Sequence, residues 1–588
     1  MKIITLLLFT ISCVCSQLYA QETFAREPRD HIWLFGYDGI GGPPFASTVM
    51  DFNTNPVSVF TDTRQMNFEM TNASICDTLG ELEVYTNGLY IADAAHDTIT
   101  NGSGLNPDPY TDFWIEIGAY SLQQSALFFK AVDGFHLLHT EMTKYEEEDE
   151  FGSPYAGNNL YLTEVKSGET GYEVGNKNQV LVNDTLVFGQ LTGCRHANGQ
   201  DWWLIVPEYM DNQYYSVLIT PDSVAFVNKY DSDTIFIAGV GQANFTPDGS
   251  KYVRFSSYGI EEGQFIEIYD FDRCDGYLYN PRVINYNDTA YFAGAAISEN
   301  SRFLYISSHR YIYQYDLEAE DIEASKVLAA EYDGFESPAN FGTRFFLAQL
   351  APDGKIYIST PGATDRLHVI HQPNNKGAGC QIEQHGIQLP GLNFRTMPNH
   401  PYYGLGPEDG GACDTLGIDL PLPEAEFSYV VTDSSLQAID FYDGSKFQPY
   451  AWHWDFGDGA VSNSRHPQHS YVFPALYEAC LTATNAQGSH TSCQEIDLRA
   501  TSTTTLNNDG IYCRAFPNPA STILRVECQI QHTGLLQVFN MRGQEVYRKS
   551  IAHNPEPLQL DVRQWPAGVY SIRLSDGYNS QLLQVMVE

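Results

Sequence analysis

Pro247-Asp248-Gly249-Ser250-Lys251-Tyr252-Val253-Arg254-Phe255 is the stretch that decides the fold. An Asp-Gly turn runs straight into a strand of aromatic and branched residues. The same plan stands at Ala197-Asn198-Gly199-Gln200-Asp201-Trp202-Trp203-Leu204, at Glu299-Asn300-Ser301-Arg302-Phe303-Leu304-Tyr305-Ile306 and at Pro352-Asp353-Gly354-Lys355-Ile356-Tyr357-Ile358. The turn residues fall at 198, 248, 300 and 353, a spacing of 50 to 53. Looser copies precede them at Leu79-Gly80-Glu81-Leu82-Glu83-Val84-Tyr85 and Asp133-Gly134-Phe135-His136-Leu137-Leu138. One small sheet cannot bury both faces, but a ring of sheets can. Repeats of this length predict a β-propeller over residues 27–410, with about seven blades and six as the alternative.

The rest of the chain is modular. The Pro-Asp-Gly turns resemble those of WD40-like propellers. Leu82-Glu83-Val84-Tyr85-Thr86-Asn87-Gly88 and Pro398-Asn399-His400-Pro401-Tyr402-Tyr403-Gly404-Leu405-Gly406-Pro407 are similar to the large N-terminal region of Bacteroidetes surface proteins. Residues 411–423, rich in Gly, Pro and Asp, read as a linker. Trp454-Asp455-Phe456-Gly457-Asp458-Gly459, with His469-Ser470-Tyr471 and Tyr477 after it, resembles the hallmark of PKD domains over 424–499. That resemblance implies an immunoglobulin-like β-sandwich. Trp454 and Phe456 are then expected in the core, and Asp455, Asp458 and the two glycines in a turn, in preference to calcium binding.

Residues 500–511 are a polar linker. Residues 512–588 resemble the type A C-terminal sorting domain of type IX secretion cargo in Bacteroidetes. The motifs are Pro517-Asn518-Pro519, then Asn540 through Gly543-Gln544, then Gly568-Val569-Tyr570. The family's basic pair before the last strand is replaced by Ser580-Gln581-Leu582-Leu583-Gln584. At the other end, Lys2, an apolar run from Ile3 to Val14 and Ala20 read as a secretory signal peptide of residues 1–20. The segments before Cys13 and Cys15 fit a lipobox poorly. These readings imply an all-β protein sent outside the cell or to the outer-membrane surface. The type IX machinery would be its partner, and no membrane-spanning segment is expected.

With 73 acidic and 32 basic residues the formal charge is −41, which excludes a phosphate-binding cationic face and so a nucleic-acid partner. The acidic run Glu146–Glu150 reads as a solvated loop rather than a metal site. Eleven cysteines minus Cys13 and Cys15 leave an odd number, so at least one is unpaired or bridges to another molecule. If Thr484 faces Ser489 across the turn Asn485-Ala486-Gln487-Gly488, Cys480 faces Cys493 within disulfide reach. Cys380 with Cys413 is a second expected pair.

No motif names a chemistry. His-Glu-x-x-His, Gly-x-Ser-x-Gly, a phosphate loop and a dinucleotide fingerprint are all missing, so no catalytic, metal or cofactor-binding residue is assigned. Calcium is the one ion the acidic loops leave open. His136 with His139, and His368 with His371, sit three apart in strands, which sends each pair to opposite faces. His196 is expected to brace its turn by hydrogen bonds, Trp202 and Trp203 to pack between blades, and Asp270–Gly276 to form a turn and not a calcium loop. Asp77-Thr78-Leu79, Asp97-Thr98-Ile99, Asp184-Thr185-Leu186, Asp222-Ser223-Val224, Asp233-Thr234-Ile235, Asp288-Thr289-Ala290 and Asp414-Thr415-Leu416 resemble the O-glycosylation acceptors of Bacteroidetes exported proteins. The same tripeptide is also a good turn into a strand, and both readings stand.

The leading expectation is a secreted or cell-surface protein without catalysis, whose propeller displays loops for an extracellular protein or glycan ligand. The alternative is an extracellular hydrolase or lyase, with carboxylates of several blades converging on the propeller channel. A structural role at the cell surface is the third.

Overall fold

The computed structural model describes residues 22–588 apart from 39–41, 145–154, 260–262, 291–292, 434–436, 500–511, 517–519, 530–532, 541–543, 552–556 and 576–579, and positions 170, 188, 238, 289, 567 and 588. The expected signal peptide and the run Glu146–Glu150 therefore lie outside the described residues.

Seven antiparallel sheets follow one another along the N-terminal region, with innermost strands Ile32–Gly36, Ala73–Cys76, Ala126–Lys130, Gly193–Arg195, Val240–Phe245, Ala293–Ile297 and Ala348–Leu350. We number these blades 1 to 7. Blades 4 to 7 each hold four strands in simple sequence order. Blade 3 is enlarged by the long strand Tyr155–Gly168 and joins blade 2 through one parallel pair, Glu173 with Thr100. Blade 1 has three strands.

The repeated turn is the same backbone device in six blades. A residue in left-handed conformation closes the first hairpin at Gly80 (φ 85°), Gly134 (84°), Gly199 (80°), Gly249 (72°), Ser301 (64°) and Gly354 (74°). Glycine adopts this conformation without a Cβ clash, which is why Asn-Gly and Asp-Gly recur there. The two upstream copies are true members of the series.

Seven apolar clusters hold the ring, each bridging two neighbouring blades. Strand alternation feeds them: Trp202 enters the cluster between blades 3 and 4, and Trp203 the one between blades 4 and 5. The last cluster joins Tyr357 and Val369 of blade 7 to Trp33 and Phe35 of blade 1 and closes the ring. Each fully buried large side chain contributes roughly 2–3 kcal/mol through area removed from water. The count of blades is thus seven.

The exit of the propeller is tied down. Cys274, in the last hairpin of blade 5, is bonded to Cys413. Glu22 and Thr23 pair in parallel with Ile418 and Asp419. The expected pairing of Cys413 with Cys380 is thereby corrected: Cys380 is free, buried in the short helix Gly377–Cys380, and burial pushes its thiol up to about 11. Cys76 and Cys194 are also free and buried.

The next region forms two sheets, of strand order Phe427–Asp433, Ala438–Asp443, Gln468–Ser470 and Val461–Ser462, Ala451–Asp455, Leu476–Asn485, Gly488–Asp497. Cys480 and Cys493 are bonded, and Thr484 Oγ1 lies 2.8 Å from Ser489 Oγ in the same register. The C-terminal region is a second sandwich. A three-stranded sheet, Tyr512–Phe516, Ile523–Gln529 and Leu558–Asp561, accompanies a four-stranded one, Glu545–Ile551, Gly534–Asn540, Gly568–Ser575 and Ser580–Val587. Leu524, Val538, Ile572 and Val585 are part of their common core. No helix among the described residues is long and apolar enough to cross a membrane.

Candidate functional site

In a meander the inter-blade connections emerge at one end of the ring and the first hairpin turns at the other. The two ends are called here the connecting face and the turn face. Blade 1 runs the opposite way to its neighbours. His31 and Asn53 lie beside the Gly80 turn, Asn53 Nδ2 donating to Gly80 O (2.9 Å). Residues 37, 38 and 42–46 consequently lie on the connecting face, where Leu392 N donates to Pro44 O (2.8 Å).

The axis of the ring, where a catalytic propeller would gather its carboxylates, is filled by the protein's own chain. After the last strand of blade 7, residues 394–407 enter from the connecting face and leave at the turn face. Asn399 is the midpoint. Its N donates to Asn72 O (2.9 Å), and its Nδ2 to Ala126 O and Leu191 O (3.0 Å each), which ties blades 2, 3 and 4 together. Gln124 spans from blade 3 to Ala243 of blade 5, accepting from its N (2.8 Å) and donating to its O (3.0 Å), and also donates to Asn399 Oδ1 (3.3 Å). Gln242 Oε1 accepts from Ala295 N (3.1 Å) and Ala348 N (2.8 Å) of blades 6 and 7. The physical need is plain. Innermost strands expose one edge of unpaired backbone groups to the axis, and burying them without partners is costly. Side-chain amides, carrying both donor and acceptor, pair with them. On the turn face Tyr402 Oη donates to Glu299 Oε1 (3.3 Å), Arg273 Nη2 to Gly406 O (2.5 Å) and Glu408 N to Ala197 O (2.8 Å).

A cavity of about 40 Å³ on the axis is lined by Arg26, Asp30, Asn244, Gln349, His400 and Tyr402 among others. A water occupies roughly 30 Å³ of liquid, whereas small-molecule sites run to roughly 300–1,000 Å³. Arg26 and Asp30 form an ion pair at 3.0 Å. Both ring nitrogens of His400 lack a partner among the described residues, and burial pushes its pKa down to about 4.

The connecting-face mouth of this filled axis is different in character. Glu69 lies in the link from blade 1 to blade 2, its side chain 9% exposed, and Arg395 lies at the start of the entering segment. Arg395 Nη1 stands 3.8 Å from Glu69 Oε1, while Glu69 Oε2 and Arg395 Nε have no partner among the described residues. Burial raises the Glu69 carboxyl, and Ser121 and Arg395 oppose that rise. Tyr37, whose hydroxyl is raised by burial and by the Glu69 charge, packs edge-on against Phe45 at 5.2 Å. Phe45 is 46% exposed, and the Arg395 guanidinium lies 4.5 Å from the ring centre of Phe394.

The residues picked out from the sequence are placed as follows. Trp454 is buried, its Nε1 donating to Ser464 O (2.9 Å), and Phe456 stacks on His469 at 4.2 Å. Asp455 accepts from Gly457 N and Asp458 from Ala460 N, with Gly457 and Gly459 at φ 77° and 92°. The motif is a core and a turn. Asp458 Oδ2 also holds His469 Nε2 at 2.8 Å. In the C-terminal sandwich Asn540 and Gln544 bond each other, and Tyr570 Oη donates to Pro566 O (2.8 Å). Gly568 begins the strand Gly568–Ser575. Pro517, Asn518, Pro519 and Gly543 lie outside the described residues.

His139 is buried between Asn106 (2.7 Å) and Thr163 (2.9 Å), His368 Nδ1 accepts from His385 N, and His371 pairs with Glu383 (2.8 Å). His196 Nδ1 accepts from Asn198 N (2.9 Å) and braces its turn. Asp272 caps Cys274 N and Asp275 N, so Asp270–Gly276 is a turn. Thr78, Thr98, Thr185, Ser223 and Thr415 of the Asp-Thr and Asp-Ser tripeptides are exposed. Among the described residues no group of three or more His, Cys, Asp or Glu is arranged to hold a metal ion. Glu69, Arg395 and the axial amides carried no motif. The one signal was Pro398-Asn399-His400-Pro401, where two prolines bracket a segment that cannot pair as an ordinary strand.

Residues 514–588 match the family model of the secretion system C-terminal sorting domain, and residues 420–500 that of the PKD domain. Among solved structures the chain is similar to the PKD1 domain of the Vibrio cholerae metalloprotease PrtV, at 29% identity over 13% of this chain and 95% of that one (TM-score 0.12). It is similar to the periplasmic gluconolactonase PpgL of Pseudomonas aeruginosa, at 11% identity over 72% and 99% (TM-score 0.28). An oligogalacturonate lyase in complex with manganese shares 13% identity over 58% and 85% (TM-score 0.30). No curated protein matches the chain. With a closed β-propeller, a PKD domain and a C-terminal sorting domain in chain order, this is cargo of type IX secretion, exported to the cell surface or beyond it.

Proposed function

We propose that this exported protein is a non-catalytic binding or adhesion protein, and that the connecting face of its propeller presents the ligand surface. The observation that carries the reading is the filled axis. Residues 394–407 and the amides of Gln124, Gln242 and Asn399 occupy the place where carboxylates from several blades would otherwise meet a substrate. The axial cavity beside His400, of about 40 Å³, has room for about one water. The connecting face, by contrast, carries exposed apolar residues on the first hairpin of blade 1 and on two inter-blade links, with Phe45 46%, Phe113 54% and Phe341 48% exposed. Exposed aromatic rings near polar groups are a common binding chemistry.

The test is to present the purified mature chain to arrays of glycans and of extracellular proteins, alongside hydrolase and lyase panels. A captured ligand with blank panels is the expected result. Sustained turnover of any panel substrate, lost on substitution of a propeller carboxylate, would overturn the reading.

A further inference from the structure

We propose that residues 408–420, which run from the axis across the turn face, form a redox-locked strap. The intact Cys274–Cys413 bond holds the strap down. Its reduction by a dithiol lets the strap and the end of the axial segment lift, which uncovers the Cys194 thiol. The device acts at the opposite end of the ring from the proposed ligand surface. Outside the cytoplasm the bond persists, so the locked state is the exported one.

Three observations carry it. First, packing does not hold the strap. No residue from Glu408 to Asp419 is buried, and Leu420 is the next side chain to enter the interior. Its backbone ties are short. Glu408 N donates to Ala197 O (2.8 Å), Phe24 N donates to Asp419 O (2.7 Å), and the pairing of Glu22–Thr23 with Ile418–Asp419 is two residues long. A segment with few buried contacts opens locally at low cost. Glu408, Asp409, Asp414 and Asp419 also share this stretch, and like charges push it off the face.

Second, the bond pins the strap at its middle. Cys274 follows Arg273, whose buried guanidinium donates to Arg195 O (3.0 Å), His196 O (3.4 Å) and Gly406 O (2.5 Å). Cys413 is thereby tied to the hairpin that cradles the end of the axial segment. Both cysteines are half-buried, within reach of a small reductant. Reduction breaks the S–S bond and leaves two thiols on the chain, while the dithiol leaves as its own disulfide.

Third, a thiol lies beneath. Cys194 is 2% exposed and shares a cluster with Leu405, two residues before Pro407. The exit segment is seated closely there: a Cβ on Gly249 would lie 2.8 Å from Leu405, and one on Gly199 2.9 Å from Pro407. Burial pushes the Cys194 thiol up to about 12, so it stays inert until that seat opens. Cys76 and Cys380 are free thiols buried in other clusters and serve as internal references.

The experiment labels the folded mature chain with an uncharged maleimide and reads each cysteine by peptide mass spectrometry. In Cys274→Ser with Cys413→Ser, Cys194 reacts about tenfold faster or more than in the parent, as loss of a bond closing a long loop eases local opening. Cys76 and Cys380 keep their parent rates. Cys480→Ser with Cys493→Ser leaves Cys194 at its parent rate. If the first double variant fails to fold, brief treatment of the folded parent with dithiothreitol, removed before labelling, gives the same reading. Cys194 as protected after reduction as before it overturns the strap. So does equal acceleration of all three thiols, which reports opening of the whole ring, and so does acceleration of Cys194 in the Cys480→Ser, Cys493→Ser chain.

Discussion

Blades 4 to 7 each consist of four strands on one turn device, whereas blade 1 has three strands, blade 3 has extra ones, and a helix, Pro109–Ile117, interrupts the link from blade 2 to blade 3. The regular blades bury their distinctive residues. Trp203, Tyr252, Tyr305 and Arg254 are all less than 2% exposed. The irregular blades and their links leave Phe45, Phe113 and Ile117 near or above half exposure. The difference teaches that repetition here serves closure of the ring; the proposed ligand surface draws on both halves, since Phe341 on the link between blades 6 and 7 is 48% exposed as well.

Breaking the regular half should cost most. Arg254 and Glu267 are an ion pair with both side chains fully buried, and Arg254 Nε also donates to Gln190 Oε1 (2.9 Å). Arg254→Met leaves a buried carboxylate unpaired, and denaturant unfolding should show a loss of about 3–5 kcal/mol with ligand affinity unchanged in the folded fraction. Next comes the staple between blade 5 and the exit segment. Replacing Cys274 and Cys413 by Ser opens a loop of sequence separation 139 and should cost about 2–5 kcal/mol. Asn399→Ala removes bonds to blades 2, 3 and 4, and a loss of about 1–3 kcal/mol is expected in the same assay.

The axial histidine gives a pH test. His400 has its folded pKa pushed down to about 4, below the value of about 6.5 of an unfolded chain. Between those values the unfolded state binds the proton and the folded state does not. Its contribution is therefore intact above about pH 6.5 and is lost as pH falls toward 4. His139 and His368, pushed to about 3, act in the same direction. The melting temperature should fall from pH 7 to pH 4, and His400→Gln should flatten that slope relative to the parent. The smallest effect belongs to the irregular half: Phe45→Ala should change stability by less than about 0.5 kcal/mol while altering ligand affinity.

How much of this was legible follows the same division. Turn chemistry announced blades 4 to 7 at once, because Asn or Asp before Gly or Ser is dictated by a left-handed backbone at a fixed spacing. Gly80 and Gly134 use the same device, but long inserts in blade 3 stretch the spacing around them. The helix after Asp108 was signalled only by Asp-Pro, with Asp108 accepting from Tyr110 N (2.8 Å) and Gly118 ending it at φ 84°. Nine residues of helix in an all-β pattern carry too weak a periodicity to stand out. Cys480 with Cys493 was readable because register places both ends, whereas Cys274 with Cys413 joins two distant segments that only the folded ring brings together. The mouth pair was invisible for the same reason: Glu69 and Arg395 meet only when blade 7 closes on blade 1.

The central claim is that the propeller binds at its connecting face and does not turn its ligand over. The most direct measurement is a product assay of the mature chain on the ligand it captures, run beside Phe45→Ala. The account predicts no product from either protein and weaker capture by the variant. Sustained release of product by the parent would contradict it.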